Sequence, residues 1–131
     1  TLLAIDFNTS TLTIACANQP AFLIHQSMAK EVEGDIFSLG GYIKPGKTIT
    51  FTEEQIRFTH GDALYLFSDG VQDQFSEVDK HKFSRKRLTA LLEQIHHLPA
   101  EDQKSRIYSE LMAWKGNARQ TDDMTLIGII L

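Results

Sequence analysis

Two acidic positions far apart in the sequence could bring carboxylates together. Asp69 follows an apolar run over residues 63–67 and is followed at once by Gly70. Asp122 and Asp123 stand before a second apolar run at the end of the chain. A carboxylate at the end of a buried strand is held by the sheet beneath it, and a glycine lets backbone or ligand come close. Mg²⁺ and Mn²⁺ favour such oxygen ligands, so the pattern predicts a divalent-cation site or a catalytic acid.

Each acidic position also has a purely structural interpretation. Asp-Gly is a common turn, and Asp122 and Asp123 could merely cap the last strand and protect its edge. Adjacent carboxylates repel each other and are rarely kept together without a cation or solvent. The long apolar run before Asp69, together with the second acidic position, favours a function for both. Asp62 lies in a Gly-Asp turn ahead of its strand and is expected to be structural.

Other residues with chemical potential lack a useful spacing. His96 and His97 are neighbours on a predicted helix, so their side chains diverge and cannot chelate one metal together. The remaining histidines show no ligand spacing: His25, His60 and His81. Ser68 lacks the Gly-x-Ser-x-Gly elbow of a nucleophilic serine. Cys16 has no disulfide partner and is expected to be a buried thiol, which favours a reducing, cytoplasmic compartment.

The composition suits one soluble globular domain that can bury a core. A net charge of −4 over 131 residues, without a basic stripe, argues against a nucleic-acid surface. No apolar run reaches the length of a membrane span and no signal peptide is visible, so we expect no membrane contact by this segment. The sequence already alternates like a strand from Thr1, without an initiator methionine. We therefore expect residues 1–131 to be the C-terminal part of a larger single domain.

The elements that must position the acidic residues are predicted to be antiparallel strands and helices. Alternation predicts strands over residues 2–7, 11–17, 21–24, 48–58, 63–67 and 124–131, the first two forming a hairpin. The polar residues 26–34 are expected to form an exposed hairpin end. Turn residues at 39–41 and 45–46 predict a loop.

Two helices are predicted between the last two strands. Leu88, Leu91, Leu92 and Ile95 form one apolar face, with Ser84 as the N-cap. A second helix is predicted over residues 100–115 and ends at Gly116; its apolar stripe consists of Ile107, Leu111 and Trp114. Strands followed by helices and a closing strand indicate an α+β fold.

Four motifs in this order resemble the SpoIIE-type branch of the protein phosphatase 2C superfamily. That branch carries a phrase like G-D-x-L-x-L-Y-T-D-G-V, and residues 61–71 read GDALYLFSDGV. Its closing D-D-x-T-L phrase is matched by residues 122–126. Its P-L-G phrase is matched in part by residues 38–40, and its A-G-H-P-P phrase keeps only Ala17 and Pro20. The four motifs are spread over most of the chain, which makes the resemblance specific.

The resemblance implies an antiparallel β-sandwich with flanking helices and a binuclear Mn²⁺ or Mg²⁺ centre at one end. Water bound to the metal would attack the phosphorus of phosphoserine or phosphothreonine without a covalent intermediate. By position, Asp69 and Asp122 would be the metal ligands and thus the catalytic residues. Gly70, Asp73 and Asp123 would support them from neighbouring positions.

The implied function is a metal-dependent protein serine/threonine phosphatase of bacterial signalling. Its partner would be a phosphorylated regulatory protein, such as an anti-sigma-factor antagonist. The alternative is a non-catalytic docking or sensor-output module, because residues 18–20 depart from the family phrase and no early aspartate motif precedes Asp69. A haloacid-dehalogenase-like phosphatase would need a nucleophilic aspartate where Phe67 stands, and is excluded.

The missing part of the domain has two expected consequences. With about half of the carboxylates, the isolated chain should be inactive and should bind divalent metals weakly. Sheet edges left open should promote dimerisation or strand exchange.

Overall fold

The computed structural model describes residues 1–40 and 48–131, which form two antiparallel sheets flanked by helices. The strands are β1 (Leu2–Asp6), β2 (Thr11–Ala15), β3 (Ala21–His25), β4 (Met28–Val32), β5 (Glu54–Arg57), β6 (Ala63–Phe67) and β7 (Leu126–Ile130). The helices are α1 (Asp69–Asp73), α2 (Arg85–Ile95) and α3 (Ala100–Lys115). The loop signal predicted at residues 45–46 and the last residue of the one at 39–41 lie outside the described residues.

The two sheets have the strand orders β1-β2-β5 and β4-β3-β6-β7, and every neighbouring pair is antiparallel. Side chains alternate across each strand, so the four-stranded sheet contributes to two cores. On β6, Leu64 packs between the sheets with Leu12 of β2, whereas Tyr65 packs under the helices with Leu92. This arrangement confirms the predicted α+β sandwich of antiparallel sheets with flanking helices.

The two predicted helices are confirmed with their ends. The apolar face of α2 is buried, and Ser84 caps the helix by accepting a hydrogen bond from the Arg87 amide at 3.4 Å. Helix α3 ends at Gly116, whose positive φ of 54° stops the helix while its amide donates to the Met112 carbonyl at 2.9 Å. The predicted buried thiol is also confirmed, since Cys16 is buried and free.

Three predictions differ from the structure by more than one or two residues at the end of an element. Residues 26–34 belong to an exposed hairpin, as expected, but they also contain the edge strand β4, which was not predicted; a tight turn through Gln26 and Ser27, which both have positive φ, joins it to β3. The strand predicted over residues 48–58 is reduced to the four residues of β5. The Asp-Gly turn after β6 is the first turn of the short helix α1. Two of these elements have weak sequence patterns, because β4 is an edge strand that carries charges and α1 is only five residues long.

Within the part of the chain that the structure describes, no helix combines the length and apolarity needed to cross a membrane.

Asp62 is a buried carboxylate at the turn that precedes β6. Its Oδ2 accepts a hydrogen bond from the Thr59 amide at 2.7 Å and lies 2.7 Å from His25 Nδ1 at the end of β3. Burial opposes ionisation, but the hydrogen bonds from His25 and Thr59 outweigh it and lower the pKa of Asp62 below its ordinary value of 3.8. These contacts support the structural role expected for this residue.

We expect Asp62→Asn to lower the free energy of unfolding by about 1.5–3 kcal/mol at pH 7, because hydrogen bonds to a charged acceptor are lost. The folded-state pKa is lowered, so the stabilisation is complete above the unfolded pKa of about 3.9 and is lost as the pH falls through the folded value. Urea unfolding between pH 3 and pH 7 measures this, with the exposed Asp79→Asn as control. A difference between wild type and Asp62→Asn that stays constant with pH would contradict it.

Candidate functional site

The pairing of β6 with β7 brings the two acidic segments to the same end of the four-stranded sheet. The strands are antiparallel with Phe67 opposite Leu126, so the chain leaves β6 and enters β7 at the same end of the sheet. Ser68 joins the two segments by three hydrogen bonds. Its amide donates to the Thr125 carbonyl at 2.9 Å, its hydroxyl donates to the Asp123 carbonyl at 2.7 Å, and its Oγ accepts from the Thr125 amide at 2.9 Å. Ser68 was considered in the sequence only as a nucleophile, and this bridging role was missed.

Gly70 lets the two acidic segments touch through their backbones. A Cβ atom at this position would lie 2.3 Å from the Asp123 carbonyl oxygen and 3.3 Å from the Asp122 carbonyl carbon. Contacts below 3 Å with backbone atoms cannot be relieved by a side-chain rotation, so only glycine fits here. The sequence indicated a close approach at Gly70, and the structure identifies the approaching group as the Asp122–Asp123 backbone.

The three candidate carboxylates at this end of the sheet face solvent. Asp69 is the first residue of α1, and Asp69, Asp122 and Asp123 are all exposed. Asp122 Oδ1 accepts a hydrogen bond from the Asp123 amide at 2.7 Å, which leaves its second carboxylate oxygen available. Asp73, at the end of α1, instead forms an ion pair with Lys82 at 3.0 Å.

A cleft of about 360 Å³ opens beside Asp69. Its walls come from segments that are distant in sequence: Thr1, Ala17, Asn18, Gln19, Ser38, Leu39, Phe67, Ser68 and Asp69. The Asn18 amide donates to the Asp35 carbonyl at 2.6 Å and the Asp35 amide donates to the Cys16 carbonyl at 2.9 Å. These two hydrogen bonds hold residues 16–18 in place beside Asp35. The cleft thus gathers three of the four sequence motifs, and the fourth is bonded to Ser68.

Gln19 lines this cleft but does not use all of its hydrogen-bonding groups. Its Nε2 is buried and has no hydrogen-bond partner among residues 1–40 and 48–131. A buried amide without a partner costs free energy unless a ligand or water completes it. One signal in the sequence points to this residue, its place within the altered A-G-H-P-P phrase.

The carboxylate oxygens at this end of the sheet suit a hard cation that keeps several water ligands. Among the residues that the structure describes, no three His, Cys, Asp or Glu side chains are grouped closely enough to hold a metal ion by themselves. Mg²⁺, however, keeps several waters and is commonly held by one or two carboxylates. Asp69 and Asp122 bring two exposed carboxylates to this end of the sheet, which is the type of donor that such an ion takes.

Comparison with known proteins identifies the family. The family model described as "Stage II sporulation protein E (SpoIIE)" matches residues 1–130. No curated protein sequence matches the chain.

Several solved structures share the fold at low sequence identity. The SiaA-PP2C domain of Pseudomonas aeruginosa has a TM-score of 0.86 and 19% identity, over 98% of this chain and 49% of that chain. The phosphatase domain of SpoIIE from Bacillus subtilis, presoaked with Mn, has a TM-score of 0.70 and 16% identity, over 99% of this chain and 55% of that chain. RsbX in complex with magnesium has a TM-score of 0.57 and 18% identity, over 96% of this chain and 52% of that chain. The chain spans about half the length of these relatives, and the likeness establishes its phosphatase 2C-like fold.

Proposed function

The chain belongs to the SpoIIE family, and on this basis we propose that it is the C-terminal part of a metal-dependent protein serine/threonine phosphatase domain of bacterial signalling. The observation that carries the proposal is the convergence of the two acidic segments beside the cleft. Ser68 and Gly70 hold these segments together. Asp69 lies in one of the two segments and also lines the cleft. Relatives solved after Mn soaking or with magnesium support the choice of Mn²⁺ or Mg²⁺.

Asp69 and Asp122 are the residues that would hold the cation. When bound, such a cation lowers the pKa of a coordinated water and neutralises charge on a phosphoryl group. Asp123 contributes its backbone carbonyl, which accepts the Ser68 hydrogen bond and keeps Asp122 in place. Asp73 acts through its ion pair with Lys82, which ties the end of α1 to the chain that follows.

The cleft is suited to the phosphorylated side chain of a protein substrate. Phosphoserine and phosphothreonine are short, and their phosphoryl oxygens are strong acceptors. Gln19 and Asp69 both line the cleft, so a cation held by Asp69 would lie within reach of these oxygens. The partner would be a phosphorylated regulatory protein, such as an anti-sigma-factor antagonist, in the cytoplasm.

A second candidate function is a non-catalytic docking or sensor-output module. It is favoured by the absence of a three-ligand group among the described residues and by the altered residues 18–20. The two functions differ in one measurable property, the dependence of phosphate release on a divalent cation.

The proposed function is tested with the parent protein, the longer polypeptide that we propose contains this chain. We expect it to release phosphate from a phosphoserine protein with Mn²⁺, to stop with EDTA and to recover when Mn²⁺ is restored, because the carboxylates act only through the cation. The isolated 131-residue chain is the matched comparison. We expect it to give negligible turnover and weak Mn²⁺ binding by calorimetry, because chelation by further ligands is lost.

Three outcomes would count against this proposal. Phosphate release by the parent that persists in EDTA would exclude the cation from the reaction. No release under any metal condition would favour the docking module. Tight binding of two Mn²⁺ ions by the isolated chain would show that its own carboxylates complete the centre.

A further inference from the structure

The segment that carries Asp122 joins α3 to β7 and comprises residues 116–125, the α3–β7 segment. These residues form neither a helix nor a strand, so their polar backbone groups depend on partners elsewhere in the molecule. The end near β7 is held by Ser68 and Gly70. The position of Asp122 therefore also depends on what holds the other end, which follows α3.

Glu77 holds the end of this segment that follows α3. It lies in the connector that joins α1 to α2, residues 74–84. Its Oε2 accepts hydrogen bonds from the Asn117 amide at 2.8 Å and from Asn117 Nδ2 at 3.3 Å, and its Oε1 accepts from Asn117 Nδ2 at 3.1 Å. These hydrogen bonds lower the pKa of Glu77 below its ordinary value of 4.5. The carboxylate is therefore charged at neutral pH, and hydrogen bonds to a charged acceptor are the stronger kind.

The turn that ends α3 leaves room for this carboxylate. At Gly116, the first residue after α3, φ is 54°. A Cβ atom there would overlap Glu77 Oε2 and lie 3.1 Å from Glu77 Cβ. The glycine therefore serves both the end of the helix and the close approach of Glu77 to Asn117.

Gln74 provides a second attachment, to a residue closer to Asp122. Gln74 is 1% exposed, and its Nε2 donates to the Phe75 carbonyl at 3.0 Å and to the Arg119 carbonyl at 3.3 Å. Both partners are acceptors, which sets the orientation of the amide. The Gln74 carbonyl in turn accepts from Trp114 Nε1 of α3 at 3.2 Å. The connector is thus bonded to α3 and to the segment that follows it.

We propose that Glu77 is a positioning residue for Asp122 and thereby for the cation site. Residues 68–77 bond to the α3–β7 segment along most of its length, at Asn117, Arg119, Asp123 and Thr125. Asp69 belongs to residues 68–77, so the stretch that carries one carboxylate also fixes the segment that carries the other. The inference rests on the proposed function, because it gives Glu77 a role at the site that Asp69 and Asp122 would form.

The test is Glu77→Ala in the parent protein, with Mn²⁺ binding measured by calorimetry and folding checked by thermal unfolding. We expect the Mn²⁺ affinity to fall by about 10-fold, the lower part of the range for residues that orient metal ligands. The Mn²⁺ concentration for half-maximal phosphate release should rise by the same factor. At saturating Mn²⁺ we expect kcat to change by less than about 3-fold, because Asp69 and Asp122 are retained.

Asp79→Ala is the matched control. Asp79 is an exposed acidic residue of the same connector, and its substitution removes the same charge without breaking the bonds to Asn117. We expect it to leave the Mn²⁺ affinity unchanged within about 2-fold, because exposed charges are screened by salt. Glu77→Gln keeps one acceptor oxygen and should give an intermediate loss, which also provides a measurement if Glu77→Ala does not fold.

Gly116→Ala breaks the same contact from the opposite side. In the wild-type background its methyl group would displace the Glu77 carboxylate, and we expect about 10-fold weaker Mn²⁺ binding. In the Glu77→Ala background that overlap is gone and only the backbone cost of the positive φ remains, so Gly116→Ala should weaken binding by less than about 3-fold.

Two results would overturn the positioning role of Glu77. One is an unchanged Mn²⁺ affinity in folded Glu77→Ala, or a loss no larger than in Asp79→Ala. The other is equal effects of Gly116→Ala in the two backgrounds. A parent protein that releases no phosphate but binds Mn²⁺ more weakly after Glu77→Ala would support the positioning role and contradict the proposed enzymatic function. A parent protein that binds no Mn²⁺ would overturn both.

Discussion

Replacing Asp69 or Asp122 by asparagine in the parent protein is expected to lower kcat/KM for a phosphoserine protein by more than about 100-fold. Loss of residues that only orient metal ligands already costs about 10–100-fold, and loss of a ligand removes both a charge and a donor atom. The asparagine keeps the size of the side chain, so the folded frame should survive. Both residues are exposed and lie outside the two cores.

The measurement is phosphate release over a range of Mn²⁺ concentrations, with thermal unfolding as a check on folding. Asp79→Asn, the same change at an exposed position, is the control and should retain full activity. Asp73→Asn should have a smaller effect than either ligand substitution, because it breaks only the ion pair with Lys82. Unchanged activity in both Asp69→Asn and Asp122→Asn would rule out the assigned ligands.

Gly70→Ala is expected to affect both stability and activity through a single methyl group. Its Cβ would meet the Asp123 carbonyl oxygen at 2.3 Å, so the two acidic segments must separate. Overpacking against backbone costs about 3 kcal/mol, which corresponds to a fall in melting temperature of about 10 °C for a domain of this size. A misplacement of catalytic groups by about 1 Å can cost about 100-fold in rate. In the parent protein we therefore expect Gly70→Ala to lower the rate of phosphate release by about 100-fold.

Gly128→Ala is the matched control for this prediction. The nearest atoms to its Cβ would be carbons of the Tyr65 ring at 3.1 and 3.3 Å, so a shift of only a few tenths of an ångström would relieve this contact. We expect Gly128→Ala to lower the melting temperature of the isolated chain by less than about 4 °C. Equal effects of the two substitutions in that chain would show that the backbone contact at Gly70 is not the cause.

The parts of the fold that the sequence predicts well are those with one strongly apolar face. Helices α2 and α3 have regular apolar stripes and caps, and β6 is almost continuously apolar, so burial alone indicates them. Strand β4 was missed because an outer strand needs charges, which hide the alternation. Strand β5 was overextended because weak alternation does not mark where pairing stops.

The candidate site could be predicted only as a set of residues, without its geometry. Local patterns indicated Asp69 and Asp122, and the family resemblance assigned them a shared role that stays a prediction. The contacts that bring the two acidic segments together join residues such as Ser68 and Asp123, which are 55 positions apart. Local patterns report which face of an element is buried, but they do not report which segment lies against it. Gln19 was missed for this reason, since its place in the lining of the cleft appears only when segments distant in sequence are assembled.

The way Ser68 and Gly70 join the two acidic segments has a consequence for how this fold can evolve. The hydrogen bonds and close contact run from a hydroxyl and a glycine to the main chain, so no carboxylate side chain is needed for them. A lineage could therefore lose its acidic residues by genetic drift and still inherit the same architecture. Selection for chemistry would act on the aspartates, whereas selection for folding would act on the serine and the glycine. On the proposed assignment, one or two substitutions of these aspartates would be enough to silence the chemistry and leave the architecture in place.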